Sequence, residues 1–503
     1  MSMLKNPNNL EEENTLLKQE NSQLREQLFW FKKQLFGAKS ERFIDPSGNQ
    51  LDLPGIDLSK EEDLREEEPK PSRKRRKRRS TKEDTIDFPD DLPKETVFLD
   101  VPEKEKICPE TREPLQKIGE VVIQKLAFKP GNFFIKEFIK PKYASKKHPE
   151  FGVIIADSPE GLFSRSKIDE SLLAKIITMK FADHLPLYRI QEIFQRDKVK
   201  ISRQTLSEWV ISAGQALLSL YERMKTRILE HNVLFTDETP VKLLVKGKKK
   251  AQQAFMWIYT GGGGVDPPYS IFEFCRTRSH EYPKRTLAGY KGCLHSDKYG
   301  AYEALAKTAE ITWCPCMAHI RRYFLEAKTG DQEFCKYVLR KIRYLYMFEK
   351  VAKCRIAEER LQIRQEKEKP IIRELVLEVK AKLVKGNHLP KSKYRKALGY
   401  FMGCSPYLEN YLSNPWAHID NNISERRIRC LAIGRKNWMF VGSEDGGQAT
   451  AVLLSIVQTC RHLSINPQEY LEDVMRKIMN YPMNKLDELL PDQWQKNRTL
   501  IVP

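Results

Sequence analysis

No apolar run in this 503-residue chain approaches the roughly 18 residues that span a bilayer. Its first residues, MSMLKNPNNLEEEN, lack the apolar core of a secretory signal. The expectation is a cytoplasmic protein. Cysteine is sparse, 10 residues scattered along the chain, unlike the dense pairing of a small secreted scaffold, so disulfides form no part of the reading. Acid is in deficit: 68 Asp and Glu face 87 Lys and Arg, a net charge of +19. The run Arg73, Lys74, Arg75, Arg76, Lys77, Arg78 and Arg79 holds seven of the positive charges, and 19 less 7 still leaves +12. Basic character spread this widely fits a polyanionic partner, nucleic acid before a membrane patch.

What is present divides the chain. A hydrophobic fraction of 40% suits packed cores, and the length predicts about three units at roughly 150 residues each. Within residues 1–42, Leu10, Leu17, Leu24 and Phe31 recur every seven residues with Asn14, Asn21, Leu28 and Leu35 interleaved. That seam predicts a leucine-zipper-like coiled coil and a homo-oligomer. Residues 43–104 break into Pro, Gly and charge blocks, an acidic stretch and then the basic run. They read as a flexible linker with a nonspecific phosphate-binding arm. Residues 105–158 carry short strand-like runs (VVIQKLAF, NFFIKEFI, GVIIA), a small β-rich module whose lysines, including Lys140 and Lys142, are candidate DNA contacts.

Residues 165–230 read as a helix-turn-helix. In LPLYRIQEIFQRD, Leu187, Ile190, Ile193 and Phe194 share one face; Ser202 then caps RQTLSEWV, whose Leu206, Trp209 and Val210 face inward. Arg203 and Gln204 face out, as typical readers of base edges.

From residue 231 to 455 the texture is α/β. Asp237 ends the strand-like VLFT and Asp297 ends CLHS; Glu425 lies on a helix that Asp420 or Asn421 caps. Carboxylates at strand ends converge over the edge of an open sheet. Three of them around a phosphodiester can hold two Mg²⁺ ions, oxygen ligands suiting that hard cation. Arg426, Arg427, Arg429, Arg435 and Lys436 surround the third acid as candidate phosphate contacts. Trp438 reads as a core residue, with stacking on an unpaired base as the alternative. Cys316 and His319 read as a packing pair, too few to close a zinc site.

The strings TDETPVKLL, HSDKYGAYEAL, WCPCMAHIRRYF, IDNNISERRIRCLAIGRKNWMFVGS and SIVQTCRHLSINPQEYL resemble the transposases of the insertion-sequence-66 family, and the likeness spans essentially the whole chain. Beside the helix-turn-helix read above, the resemblance implies a multidomain α/β protein: a coiled coil, a zinc-ribbon-like module, a DDE catalytic domain of ribonuclease-H-like fold and a short C-terminal domain, the helical segment 456–503. It places the catalytic, metal-holding acids at Asp237, Asp297 and Glu425, with Asp420 in reserve and Glu238 as a supporting or helix-N-terminal charge. It implies Mg²⁺ or Mn²⁺, two ions, and double-stranded DNA as partner, both element ends and target. Companion proteins encoded by the same element and a nucleoid-associated place in a bacterial cytoplasm follow from the same likeness.

Asp237 and Asp297 are 60 residues apart and Glu425 follows 128 later, which implies a helical insertion at about 326–411 with Val338, Ile342, Leu345 and Phe348 on its apolar stripe. The second module departs from the family pattern. Cys108 and His148 are remnants, Thr111 and Ser145 standing where further ligands belong, so zinc is not expected. The function implied is terminal-repeat binding with DNA cleavage and strand transfer. A DNA-binding repressor with idle carboxylates and a metal nuclease acting on another nucleic acid, RNA included, remain the rivals.

Overall fold

The computed structural model describes residues 92–107, 112–129, 131–144, 152–157, 161–163, 166–262, 266–308, 310–327, 330–386, 389 and 391–499. The heptad segment, the basic run Arg73–Arg79, and Cys108 and His148 lie outside them. Nearly all the described residues belong to one compact unit, Glu83–Glu326 with Glu333–Pro503. Of the other, Met1–Lys82 with Ala327–Gln332, only the turn in which Gly330 donates to the Ala327 carbonyl and its flank are described.

A small sheet comes first. β2 (Gln116–Lys129) and β3 (Asn132–Ala144) form a long antiparallel hairpin turned at Gly131, whose φ of +97° suits glycine. β1 (Lys94–Phe98) pairs parallel and β4 (Val153–Ile155) antiparallel to β3. β1 falls within the stretch read as linker, which corrects that boundary. KETVF is mostly exposed and held by backbone pairing with Ile135–Ile139, so it carries no alternating signal. Lys140, read as a DNA contact, is buried.

Four helices follow: α1 (Glu170–Phe181), α2 (Leu187–Arg196), α3 (Arg203–Ala216) and α4 (Leu218–Ile228). Asp169 caps α1 by accepting the Ser171 N–H, and Ser202 caps α3 by accepting that of Thr205, both at 3.0 Å. Leu206, Trp209 and Val210 are buried while Arg203 and Gln204 are exposed.

The second sheet runs β7-β6-β5-β8-β9, from β5 (Val233–Leu243), β6 (Gln252–Thr260), β7 (Ser270–Cys275), β8 (Cys293–Ser296) and β9 (Thr312–Pro315). The first three strands are antiparallel, and β5, β8 and β9 are parallel. Val233 to Thr236 are all buried, as expected of a strand covered on both faces. α5 (Glu281–Thr286) and α6 (Gly300–Thr308) connect strands, and α7 (Met317–Glu326) leaves β9.

The insertion consists of α8 (Gln332–Ala352), α9 (Ala357–Ile363), a π-helical turn at Arg364–Glu368, α10 (Lys369–Lys385) and α11 (Lys393–Cys404). Val338, Ile342 and Leu345 are buried on α8, but the stripe's next turn buries Glu349 while Phe348 stays half-buried. Glu349 Oε1 accepts from Arg364 Nε at 2.6 Å, and Arg364 also donates to the carbonyls of Tyr411, Asn414 and Ala417. This buried pair braces the insertion against the segment leading to the third acid.

α12 (Asn422–Trp438) is followed by α13 (Glu444–His462), buried over almost its whole length. Residues 455/456, read as a domain boundary, lie inside that continuous helix. α13 covers the outer edge of β7: Ser455 Oγ accepts the Phe272 N–H (2.7 Å) and Thr459 Oγ1 that of Ser270 (3.1 Å). Its other side meets α3 at Gly214, where a Cβ would lie 2.6 Å from Ala449 Cα. α14 (Pro467–Lys477) and α15 (Pro491–Thr499) close the chain. No helix among the described residues is long and apolar enough to cross a membrane.

A candidate carboxylate centre

The parallel register of β5 and β8 aligns Phe235 with His295, so Asp237 and Asp297 stand at matching positions just where that pairing stops. Asp237 does not end its strand, as the sequence suggested: β5 continues along β6 to Leu243, and only its β8 side opens. Asp297 Oδ1 accepts the Tyr299 N–H (3.0 Å), fixing the turn into α6.

Glu425 arrives from the other side of the gap. Asn421 Nδ2 donates to the Thr236 carbonyl (2.8 Å), tying the start of α12 to the residue before Asp237, and Glu425 sits one helical turn on. The Asn421 N–H donates to Cys316 Sγ (3.1 Å), and the Met317 N–H to the Ile419 carbonyl (3.1 Å). Asp420 Oδ2 accepts from Tyr346 of the insertion (2.9 Å) and from Asn422 Nδ2 (2.7 Å), while Oδ1 accepts the Asn422 N–H. With both oxygens engaged by these donors, Asp420 is an anchor for α12.

Electrostatics report the convergence. Burial, followed by the charges of Glu238, Asp297 and Glu425, pushes the Asp237 carboxyl up to about 8. Glu238 is raised by burial and by Asp297 against the pull of Arg278, to which Glu238 Oε1 is paired. Glu238 is therefore strand-borne, not a helix-terminal charge. Arg278 stacks over Tyr299 at 4.4 Å, so one cation links Glu238 on β5 to the turn that follows Asp297.

Glu425 Oε1 and Glu238 Oε2 are buried with no hydrogen-bond partner among the described residues. An all-oxygen set of mutually repelling carboxylates with spare lone pairs fits hard divalent cations such as Mg²⁺ or Mn²⁺.

Cys316 and His319, read as a packing pair, converge on Glu425: one ligand atom from each of the three lies within 4.8 Å of the others. His319 Nδ1 is 3.7 Å from Glu425 Oε1. The thiol is a poor ligand, since burial pushes it up to about 12 and its sulfur already accepts the Asn421 N–H. Sequence spacing shows the C-x-x-H pair but not that α12 brings Glu425 to it.

The basic residues separate. Arg426, Arg429 and Lys436 are exposed. Arg427 turns inward, donating to the Pro268 carbonyl (3.1 Å), Ser270 Oγ and His462 Nδ1 (both 2.9 Å), so its assignment as a phosphate contact is corrected. Helical phase places position 427 on the face toward β7. Arg435 donates to Thr239 Oγ1 and the Pro240 carbonyl, bracing α12 on β5.

A mixed α/β unit with a clustered-carboxylate centre, a helical insertion before the last acid and a small sheet ahead of it has the architecture of a multidomain transposase. Residues 165–449 match the model of the family described as Transposase IS66 family, residues 455–491 that of the IS66 C-terminal element, and residues 23–97 that of the Transposase C of IS166 homeodomain. Three proteins of Sinorhizobium fredii are similar. Uncharacterized protein y4jD is 31% identical over 90% of this chain and 91% of its own, y4hP 30% over 81% and 76%, and y4qI 32% over 74% and 71%. The chain belongs to the IS66 family of transposases, whose business is DNA transposition.

Proposed function

We propose that Asp237, Asp297 and Glu425 form the catalytic centre of a DNA transposase that binds the terminal repeats of its element, cuts there and joins the freed end to target DNA. We read the five-stranded sheet, three antiparallel strands followed by two parallel ones, as ribonuclease-H-like. The observation that carries the proposal is the meeting of an aspartate on β5, an aspartate just past the end of β8 and one helix-borne glutamate at the opening between the two strands. Two divalent ions, when bound, activate an attacking oxygen and stabilise the leaving one.

The protein's part is geometric. Asp237 and Asp297 are fixed by neighbouring strands; Glu425 is fixed by Asn421, Asp420 and Tyr346 through α12. Hydrolysis of one phosphodiester exposes a 3′-hydroxyl, and that hydroxyl displaces another in target DNA. Each step breaks one P–O bond and makes one, so no protein nucleophile is needed. Arg426, Arg429 and Lys436 hold flanking phosphates, and α2–α3 presents Arg203 and Gln204 to base edges as a helix-turn-helix. The heptad segment pairs two copies, and so two ends.

A Mg²⁺-dependent cleavage and joining assay on element-end DNA tests this, with binding measured in parallel. Wild type is expected to cut, and Asp237→Asn, Asp297→Asn and Glu425→Gln to bind without cutting. Normal cutting by the variants overturns the triad; binding without cutting by the wild type favours a repressor.

A further inference from the structure

Thirteen residues beyond Glu425, roughly 20 Å along the helix at 1.5 Å per residue, the end of α12 borders a cavity of about 710 Å³. Lys180 from the end of α1, Tyr188 from α2, Arg203 and Gln204 from the first turn of α3, and Trp438 and Phe440 line it, and no carboxylate does. Its volume lies in the range of small-ligand sites.

Each side chain has a distinct disposition. The Lys180 ammonium lies 4.7 Å from the Trp438 ring centroid and 5.4 Å from that of Phe181. Neither Lys180 nor Arg203 has a carboxylate partner among the described residues. Trp438 is not free to stack: Lys180 covers it, and it backs onto Gly434 so closely that a Cβ there would come within 2.6 Å of the ring. Phe440 is different. Met439 adopts φ +68°, the chain turns, and Phe440 is left 48% exposed with no ring partner among the described residues. Two cations without a carboxylate partner, an open aromatic face and the amide oxygen of Gln204, whose Nε2 donates to Glu208 (2.8 Å), lie within one concavity and match the phosphate, base face and base edge of a nucleotide. A paired backbone needs only surface cations.

We propose that this cavity receives a single nucleotide turned out of the bound DNA, its phosphate on Lys180, its base edge on Arg203 and Gln204 and its base face against Phe440. The proposal rests on the DNA-transposase reading and adds a contact outside the carboxylate centre. Extrusion costs least where a base is already unpaired, which supplies the test.

Full-length protein is titrated, by fluorescence anisotropy, with a labelled duplex bearing one bulged thymidine and with the same duplex fully paired. Wild type is expected to bind the bulged duplex about tenfold more tightly, the scale of one base stacked on an aromatic ring. Phe440→Ala removes that preference and leaves the affinity for paired duplex intact. Lys180→Gln and Arg203→Gln weaken bulged binding more than paired. Phe440 and Arg203 are exposed, so their variants keep the fold, which a thermal melt verifies. Equal wild-type affinity for the two duplexes, or a preference that survives Phe440→Ala, overturns the cavity assignment alone. Failure to bind either duplex overturns the DNA reading and the cavity with it.

Discussion

Asp237 shows how one residue's surroundings become a measurable property. Its folded carboxyl holds a proton up to about 8, whereas an unfolded Asp releases it near 4. Between those values the folded state binds the extra proton, so metal-free stability falls as pH rises through this window. Thermal melts without divalent ions are expected to show the midpoint falling from pH 5 to pH 8, and Asp237→Asn is expected to flatten that slope; an unchanged slope would disprove the crowding. Addition of Mg²⁺ at pH 8 is expected to recover the lost stability in wild type and less in the variant. The positions of Asp237 and Asp297 were legible because each follows a short apolar run. The partner of Glu238 was not: Arg278 lies forty residues on, and only the fold brings the two together. Arg427 was misread for a related reason, since a basic residue between two others gives no sign that its own face of α12 turns toward β7.

Among the elements, the insertion and the α3–α13 contact make the sharpest demands. Removing Arg364 leaves the buried Glu349 with only its longer contact to Arg360, 3.4 Å. Arg364→Met is expected to cost about 3 kcal/mol in denaturant unfolding, and the triple variant Glu349→Leu, Arg360→Met, Arg364→Met to recover most of it. A triple variant no better than the single one would mean that the carbonyl contacts of Arg364, not its charge, hold the insertion. At the α3–α13 crossing the listener to any added volume is backbone: Gly214→Ala presses on Ala449 Cα and is expected to destabilise by about 1–3 kcal/mol. Helices were the readiest elements to read, because Ser202 and the apolar spacing around it are local signals. β1 escaped because its stability comes from β3, and α13 was cut in two because its nearly uniform burial hides where one helix ends and another begins.

At the scale of the whole molecule, charge sets association. If Arg426, Arg429 and Lys436 contact phosphates, replacing each with Gln is expected to lower the slope of log K against log salt by about 0.9; Arg427→Gln is expected to lower thermal stability while leaving that slope nearly unchanged. Equal slope changes at all four positions would show that the inward path of Arg427 has been misjudged. The mixed α/β class was legible from strand-like and helical texture, but the way α13 joins the parts was not, since it depends on contacts with β7, α1, α3 and α4 that are far apart in sequence. That single helix has a mechanical consequence. With α3 keyed into it at Gly214 and β7 clipped along it by Ser455 and Thr459, no hinge among the described residues separates the helix proposed to contact DNA from the sheet that carries the acids. On the proposed function, whatever bending brings a terminal repeat onto both at once is done by the DNA, so element ends with flexible pyrimidine–purine steps between the two footholds are expected to bind best.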